Sequence, residues 1–124
     1  MRLLLDSNSF LWWVTGSERL SAIARNAIAD DANEVSVAIG SLWEIAIKRS
    51  LGKLKFPHDF ETVLHAEEFG LLPVTYKHLH ALESLPLRHR DPFDRLLIAQ
   101  SIAENVPVVT NDRAFALYDV KTFW

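Results

Sequence analysis

Residues 90–112 read RDPFDRLLIAQSIAENVPVVTND, a predicted helix followed by a predicted buried strand. Asp91 suits the helix N-cap and Pro92 the first helical position, so the helix is predicted over Phe93–Glu104. The apolar run Val106–Thr110 is typical of a strand that is covered on both faces. A helix that leads into such a strand indicates alternation of the two around a parallel sheet.

The same alternation extends outward in both directions. Further strands are predicted at Leu3–Leu5, Val35–Ile39, Leu71–Val74 and Val120–Phe123. Further helices are predicted at Ser7–Val14, Arg19–Ala29, Leu42–Leu51, Asp59–Phe69, Thr75–Leu85 and Asp112–Leu117. Gly52 and Gly70 are predicted to end the helices before them, and Pro73 favours a sheet edge. The prediction is one domain over residues 1–124, an α/β three-layer sandwich around a mostly parallel sheet of about five strands.

The composition agrees with a single folded domain. The chain has 124 residues, of which 49% are hydrophobic and 10% aromatic, so it can bury a sizeable core. Cysteine is absent, which excludes a disulfide scaffold and a thiolate metal site and suits a reducing, cytoplasmic location. No apolar run approaches the roughly 20 residues that span a bilayer, so no membrane is expected. The first residues are interpreted as a strand and not as a signal peptide.

The net charge of −3 argues at first against nucleic acid as a partner. A site that holds Mg²⁺ needs several carboxylates, however, and the bound ion locally reverses their charge. The basic residues are also concentrated in two segments, Lys48–Lys55 and Arg88–Arg95. The charge therefore weakens a nuclease interpretation without excluding it.

Four acidic residues follow predicted strands or begin predicted helices. Asp6 directly follows the first strand, and Asp112 follows Val106–Thr110. Glu44 lies in the first turn of the helix after the second strand, whereas Asp94 follows Asp91-Pro92, and no strand leads into its helix. In open parallel sheets, ligands bind beyond the carboxyl ends of the strands, which is where these acids are expected.

Each acid also has a simpler interpretation as a helix cap. Asp6 and Asp112 suit N-caps, and Ser41-Leu42-Trp43-Glu44 fits a capping box. If the four converge, however, they need a cation, and an oxygen-rich cluster without thiols suits Mg²⁺ or Mn²⁺. No histidine is assigned to this site, since none forms a ligand pair with the acids. Carboxylates with Mg²⁺ suit phosphoryl chemistry.

A phosphate backbone would need cationic side chains beside the acids. Arg90 and Arg95 flank Asp94 in sequence and are the candidate substrate-binding residues. Lys48, Lys53 and Lys55 are weaker candidates. The alternative is a solvated helix face, on which Glu44 and Lys48 form an i,i+4 pair.

Four stretches together resemble the PIN domain, and more narrowly the VapC-type toxins of bacterial toxin–antitoxin pairs. They are LLLDSN at residues 3–8, SLWEIAIK at 41–48, RDPFDRLLIAQ at 90–100 and VTND at 109–112. The resemblance implies a sandwich around a parallel sheet and a Mg²⁺-dependent endoribonuclease, with Mn²⁺ as a substitute. It also implies an RNA substrate, a homodimer and a cognate antitoxin.

The resemblance also implies a role for each matching residue. The catalytic and metal-binding roles fall on Asp6, Glu44, Asp94 and Asp112. Ser7 stands where threonine is commoner in the family and keeps the hydroxyl, and Ser7, Asn8 and Thr110 would orient the metal ligands.

Three other interpretations remain open from the sequence. The first is a non-catalytic interaction domain whose acids are helix caps. The second is a Mg²⁺-dependent phosphoacceptor domain, which would want an acid pair after the first strand, where Asp6 stands alone. The third is a dehalogenase-like phosphatase, which would want Asp-x-Asp there, although residue 8 is Asn.

Overall fold

Five short parallel strands form one sheet at the centre of the molecule. The computed structural model describes residues 1–124, and its strands are Arg2–Leu5 (β1), Glu34–Ala38 (β2), Gly70–Leu72 (β3), Val108–Val109 (β4) and Thr122–Phe123 (β5). They lie in the order β3-β2-β1-β4-β5, and every neighbouring pair is parallel. The chain crosses from one side of β1 to the other between β3 and β4, so the order reverses at the β1/β4 boundary. Ligand sites are expected at such a reversal.

Six α-helices and one 3₁₀ turn connect these strands. The helices are Ser7–Thr15 (α1), Ala22–Ala29 (α2), Ile39–Ser50 (α3), Phe60–Glu67 (α4), Tyr76–Ser84 (α5) and Pro92–Glu104 (α6), and the 3₁₀ turn is Arg113–Leu117. The side chains of Asp6, Ser21, Asp59 and Asp91 accept backbone N–H groups at four helix N-termini. These caps satisfy donors that a helix leaves unpaired in its first turn.

The alternation of side chains along β1 builds a core on each face of the sheet. Leu3 and Leu5 belong to one core with residues of α1 to α4, whereas Leu4 belongs to a second core with Leu97 and Phe115. All three leucines of β1 are 1% exposed or less, which is why the strand is apolar throughout. The predicted three-layer α/β/α sandwich is confirmed.

Several predicted element boundaries were wrong. α2 begins at Ala22 and not at Arg19, because the Ser21 hydroxyl accepts the Ala24 N–H. α3 begins at Ile39, three residues before the predicted Leu42, with Ala38 as an N-cap that makes no side-chain hydrogen bond. The predicted final helix is a 3₁₀ turn.

Gly70 was also interpreted wrongly. α4 ends at Glu67, and the C-cap residue Glu68 adopts the left-handed conformation with φ of 57°. Gly70 instead begins β3, where a Cβ would lie 2.9 Å from the Ser36 hydroxyl of β2. Glycine therefore permits the edge strand to approach β2. Gly52 follows α3 with φ of 72°, in the conformation predicted for it.

No helix combines the length and the apolar character needed to cross a membrane.

Candidate functional site

An acidic cavity of about 170 Å³ lies at the carboxyl ends of the central strands. Its lining contains five carboxylates and a single basic residue, Lys48. The acids are Asp6, Glu44, Asp91, Asp94 and Asp112. The structure therefore brings together all four of the acids singled out in the sequence and adds Asp91 to them.

Asp6 is the most deeply placed of these acids. It follows β1 and caps α1, where one carboxylate oxygen accepts the Ser9 N–H at 2.8 Å. The other oxygen accepts the Thr110 hydroxyl at 2.6 Å. Only 7% of Asp6 is exposed, so this carboxylate is held by neutral donors in a largely dry position.

Thr110 links the two acids at the β1/β4 boundary. Its hydroxyl donates to Asp6 and accepts the backbone N–H of Asp112 at 3.0 Å. Asp112 is exposed and caps the 3₁₀ turn through the Ala114 N–H at 2.9 Å. One buried threonine therefore fixes the relative positions of two acidic residues.

Glu44 reaches the cavity from α3. One oxygen accepts the Ser7 hydroxyl at 2.7 Å, and the other pairs with Lys48 at 3.1 Å, four residues further along the helix. Because α3 begins at Ile39, Glu44 lies in its second turn, and the predicted capping box with Ser41 does not form. Glu44 caps no helix.

Asp94 approaches from α6. Asp91 is the N-cap of that helix, as predicted, and accepts the backbone N–H groups of Phe93 and Asp94. The Asp94 carboxylate makes a different contact, since its Oδ2 lies 2.8 Å from Nε2 of His89. Its Oδ1 has no protein partner. Asp94 and Glu44 thus contradict the interpretation of the four acids as helix caps.

The electrostatics of the cavity follow from burial and mutual repulsion. Burial raises the pKa of the Asp6 carboxyl, against the hydrogen bonds from Thr110 and Ser9, and the Asp112 charge raises it further. Burial likewise is the main cause that raises the pKa of Asp94 to about 6. The His89 hydrogen bond lowers it, and the charges of Asp91 and Asp112 raise it. Asp112 is therefore close enough to act on both neighbours.

The donor set fits a hard divalent cation in kind. Every acidic ligand offers oxygen, no thiol is available, and the lining contains no histidine. No three acidic or histidine side chains stand close enough to bind one ion directly. This separation is compatible with Mg²⁺, which usually keeps several waters and takes only one or two carboxylates from the protein.

The basic residues are arranged differently from the expectation. Arg90 is exposed and makes no hydrogen bond or ion pair with the protein. Arg95 instead donates to the backbone carbonyls of Pro86 and His89 and to the Tyr118 hydroxyl. Neither arginine lines the cavity, and neither do Lys53 and Lys55.

Two features of the site differ from what the sequence indicated. His89 contacts Asp94, although no histidine was assigned to the site. The position of His89, five residues before Asp94 in a proline-containing loop, has no periodicity that would reveal the contact. Asn8 lies at the cavity, but its side chain makes no hydrogen bond to any of the acids.

Comparisons with known proteins agree with this fold. No curated protein matches the chain in sequence. Among solved structures, the complex of VapBC2 from Rickettsia felis with a promoter DNA fragment has a TM-score of 0.68 at 15% identity, covering 100% of this chain and 99% of that one. A toxin–antitoxin complex from Klebsiella pneumoniae has a TM-score of 0.68 at 10% identity, with 98% and 96% covered.

A third structure, FitAcB from Neisseria gonorrhoeae, has a TM-score of 0.61 at 18% identity, covering 98% of this chain and 96% of that one. At these identities the likeness shows a shared fold. The family model of the PIN domain matches residues 3–121, nearly the whole chain and all four motifs. The chain belongs to the PIN-domain family.

Proposed function

We propose that this protein is a divalent-metal-dependent endoribonuclease and the toxin of a toxin–antitoxin pair. One observation carries the proposal: Asp6, Glu44, Asp94 and Asp112 line a single cavity at the carboxyl ends of the strands. Helix capping accounts for Asp6 and Asp112 but not for Glu44 and Asp94. Convergence of charges that have no capping function is costly unless a cation joins them.

One or two of the four carboxylates would bind Mg²⁺ directly and the others would bind it through its waters, with Mn²⁺ as a substitute. When bound, the ion lowers the pKa of a water and offsets charge on the phosphate oxygens. Ser7 and Thr110 hold Glu44 and Asp6 in fixed orientations through their hydroxyls. Arg90, which is exposed and has no protein partner, is our candidate cation for contact with the RNA backbone.

A phosphoacceptor role is disfavoured by the same geometry. Both oxygens of Asp6 are hydrogen-bonded, and the residue is 7% exposed. Attack by Asp6 on a phosphoryl group would require loss of one of these bonds and opening of the site.

The test is cleavage of a labelled RNA panel by the purified protein in Mg²⁺ or Mn²⁺, with EDTA as the metal-free control. Asp6→Asn should abolish cleavage. Asp59→Asn is the matched control, because Asp59 also caps a helix through its side chain but lies outside the cavity. Equal cleavage by wild type and Asp6→Asn, or cleavage that persists in EDTA, would refute the proposal.

The toxin assignment draws on the relatives and on an apolar groove. The solved relatives from R. felis and K. pneumoniae are a VapBC pair and a toxin–antitoxin complex. In this chain a groove of about 480 Å³ between α3 and α4 is lined mainly by apolar residues. Trp43 of that groove is 60% exposed and contacts Phe93, which lines the acidic cavity. An antitoxin segment with an apolar face would fit this groove beside the active site.

Growth measurements test whether the protein is a toxin and whether its antitoxin binds in the groove. Induced wild-type protein should arrest growth, Asp6→Asn should not, and co-expression of the cognate antitoxin should restore growth. Leu71→Asp in the groove should leave the toxicity but lose the rescue. Leu87→Asp, at a residue that is 72% exposed and outside the groove, should be rescued like wild type. Full rescue of Leu71→Asp would place the antitoxin elsewhere.

A homodimer is also proposed. The exposed apolar side chains of Tyr76 and Leu79, 84% and 41% exposed on α5, offer a surface for a second copy. Light scattering after size-exclusion chromatography should give a molar mass of twice the 14.1 kDa of one chain. Tyr76→Asp should reduce this mass to that of a single chain.

A further inference from the structure

We propose that Arg95 and Tyr118 are positioning residues that hold the 85–90 loop so that His89 fixes one oxygen of Asp94. The other oxygen of Asp94 is thereby left free for the metal. This inference rests on the proposed metal site. It gives Arg95 a role within the protein's own loop, whereas the sequence indicated only a contact with RNA.

The contact between His89 and Asp94 is short and partly shielded from water. Nε2 of His89 lies 2.8 Å from Oδ2 of Asp94, and the two side chains are 27% and 23% exposed. An ionised carboxylate can only accept, so the ring N–H donates. A carboxylate that is hydrogen-bonded at one oxygen cannot rotate freely. Residues that hydrogen-bond to metal ligands usually act in this way, by fixing the orientation of the ligand.

His89 itself lies in a segment without regular structure. Residues 85–91 join the end of α5 at Ser84 to the start of α6 at Pro92. The direction of the imidazole therefore depends on what holds this loop. Without such contacts, ordering the loop would cost conformational entropy each time a metal binds.

Arg95 makes two contacts with the loop and one with Tyr118. Its Nη1 lies 3.1 Å from the Pro86 carbonyl, 3.4 Å from the His89 carbonyl and 3.0 Å from the Tyr118 hydroxyl. All three contacts use this one nitrogen, which ties the guanidinium to the loop and to Tyr118, whereas Nη2 and Nε have no protein acceptor.

Tyr118 supplies the fixed point. It is buried in the second core at 7% exposure, and its hydroxyl accepts both Arg95 and the backbone N–H of Arg88 at 3.1 Å. The Arg88 guanidinium also donates to the Leu117 carbonyl at 3.0 Å. The loop is thus anchored to the 3₁₀ turn that follows Asp112 and to Tyr118 directly after that turn.

The test is Mn²⁺ affinity, measured by calorimetry on the metal alone, in five variants and wild type. His89→Leu removes the donor, and we expect about a 10–100-fold loss of affinity. His89→Gln keeps an N–H donor and should recover part of it. Tyr118→Phe and Arg95→Met keep the His89 side chain but remove contacts that hold its loop, so they should also weaken Mn²⁺ binding. His80→Leu, in an exposed histidine of α5, is the control and should match wild type.

A second measurement does not depend on the metal. The imidazole Nε2–H of His89 should give a slowly exchanging proton resonance in metal-free wild type, and this resonance should be lost in Tyr118→Phe. Tyr118→Phe keeps the buried ring, so the circular dichroism spectrum should be unchanged.

Different results overturn different claims. If wild type binds no Mn²⁺, the metal site and the proposed function fall. If wild type binds Mn²⁺ and all variants bind it equally, only the positioning role is refuted. If Arg95→Met keeps the Mn²⁺ affinity but reduces the salt dependence of RNA binding by about one phosphate contact, Arg95 is an RNA-binding residue and the inference is wrong.

Discussion

Asp6 is a buried carboxylate with no cationic side chain in contact with it, and its burial affects the stability of the metal-free protein. Thr110 and Ser9 donate to it, but neither carries charge, and no basic side chain contacts it. Burial and the charge of Asp112 therefore raise its pKa. A group whose pKa is raised in the folded state favours folding when protonated, and this contribution is lost as the pH rises. At neutral pH the metal-free protein is accordingly less stable than it would be with a neutral side chain there.

The substitution Asp6→Asn should therefore raise the stability of the metal-free protein, by about 1 kcal/mol near pH 7.5, since it removes the buried charge and keeps a capping oxygen. Thermal melts in EDTA measure this, and the gain should shrink at acid pH. Asp59→Asn should show no gain, because Asp59 is exposed and its hydrogen bonds to Thr62 lower its pKa. A lower melting temperature for Asp6→Asn would contradict the argument.

The raised pKa of Asp94 also makes the stability of the metal-free protein depend on pH, over a range that can be stated. Its pKa is raised from 3.8 to about 6, chiefly by burial. In that interval the folded state binds more protons than the unfolded state, so the metal-free protein should lose stability as the pH rises from about 4 to 6. The change attributable to Asp94 should be about 2 kcal/mol. Denaturant titrations at a series of pH values measure the free energy of unfolding, and Asp94→Asn should remove this part of its pH dependence. The same pH dependence in wild type and Asp94→Asn would refute the prediction.

At the scale of the elements, local chemistry explains most of what could be predicted. Asp91-Pro92 and the leucines of β1 specify a helix start and a buried strand with their immediate neighbours alone. The start of α3 at Ile39 and the position of Gly70 could not be predicted, since both depend on packing against distant residues. The contact of His89 with Asp94 and the use of Arg95 also required the fold, because a loop conformation decides them.

Gly40 controls how closely α3 and α6 approach. A Cβ at this position would lie 3.1 Å from Cδ2 of Leu96 in α6. Gly40→Val should push apart the helices that carry Glu44 and Asp94, with a loss of about 1–3 kcal/mol of stability and weaker Mn²⁺ binding. Gly40→Ala should cost less, because the methyl group meets only a flexible side-chain end and the helix gains about 1 kcal/mol of propensity. Equal Mn²⁺ affinity in wild type and Gly40→Val would show that this helix spacing does not set the site.

Glu104 joins α5 to α6 away from the cavity. It pairs with Lys77 at 2.6 Å and accepts Nε2–H of the buried His78 at 2.9 Å. These partners lower its pKa from 4.5 to about 2. The stability that they provide is fully present above pH 4.5 and is lost as the pH falls toward 2. Glu104→Gln should cost about 1–2 kcal/mol at pH 7, and this difference from wild type should vanish in acid. A constant difference across the acid range would show that packing and not charge is responsible.

At the scale of the whole molecule, the reversal of strand order explains why one small domain can hold so many acids together. β1 and β4 are adjacent in the sheet but far apart in sequence, so their carboxyl ends bring Asp6 and Asp112 side by side. α3 and α6 then add Glu44 and Asp94 from flanking positions. The surrounding core supplies the rigidity that keeps these acids together against their repulsion.

The metal should therefore act on the stability of the entire domain and not only on the cavity. An ion that binds the folded state alone raises the free energy of unfolding by about 2.7 kcal/mol at one hundred times its Kd. Mn²⁺ should raise the melting temperature of wild type in proportion to the logarithm of its concentration, and Asp59→Asn should respond equally. Asp6→Asn should have a higher melting temperature than wild type in EDTA, and Mn²⁺ should raise it little. The curves of melting temperature against Mn²⁺ concentration for the two proteins should therefore cross.

Because the net charge is −3, general screening by added salt would also stabilise the protein. A screening effect would shift Asp6→Asn and wild type alike, and parallel curves would thus count against a metal site.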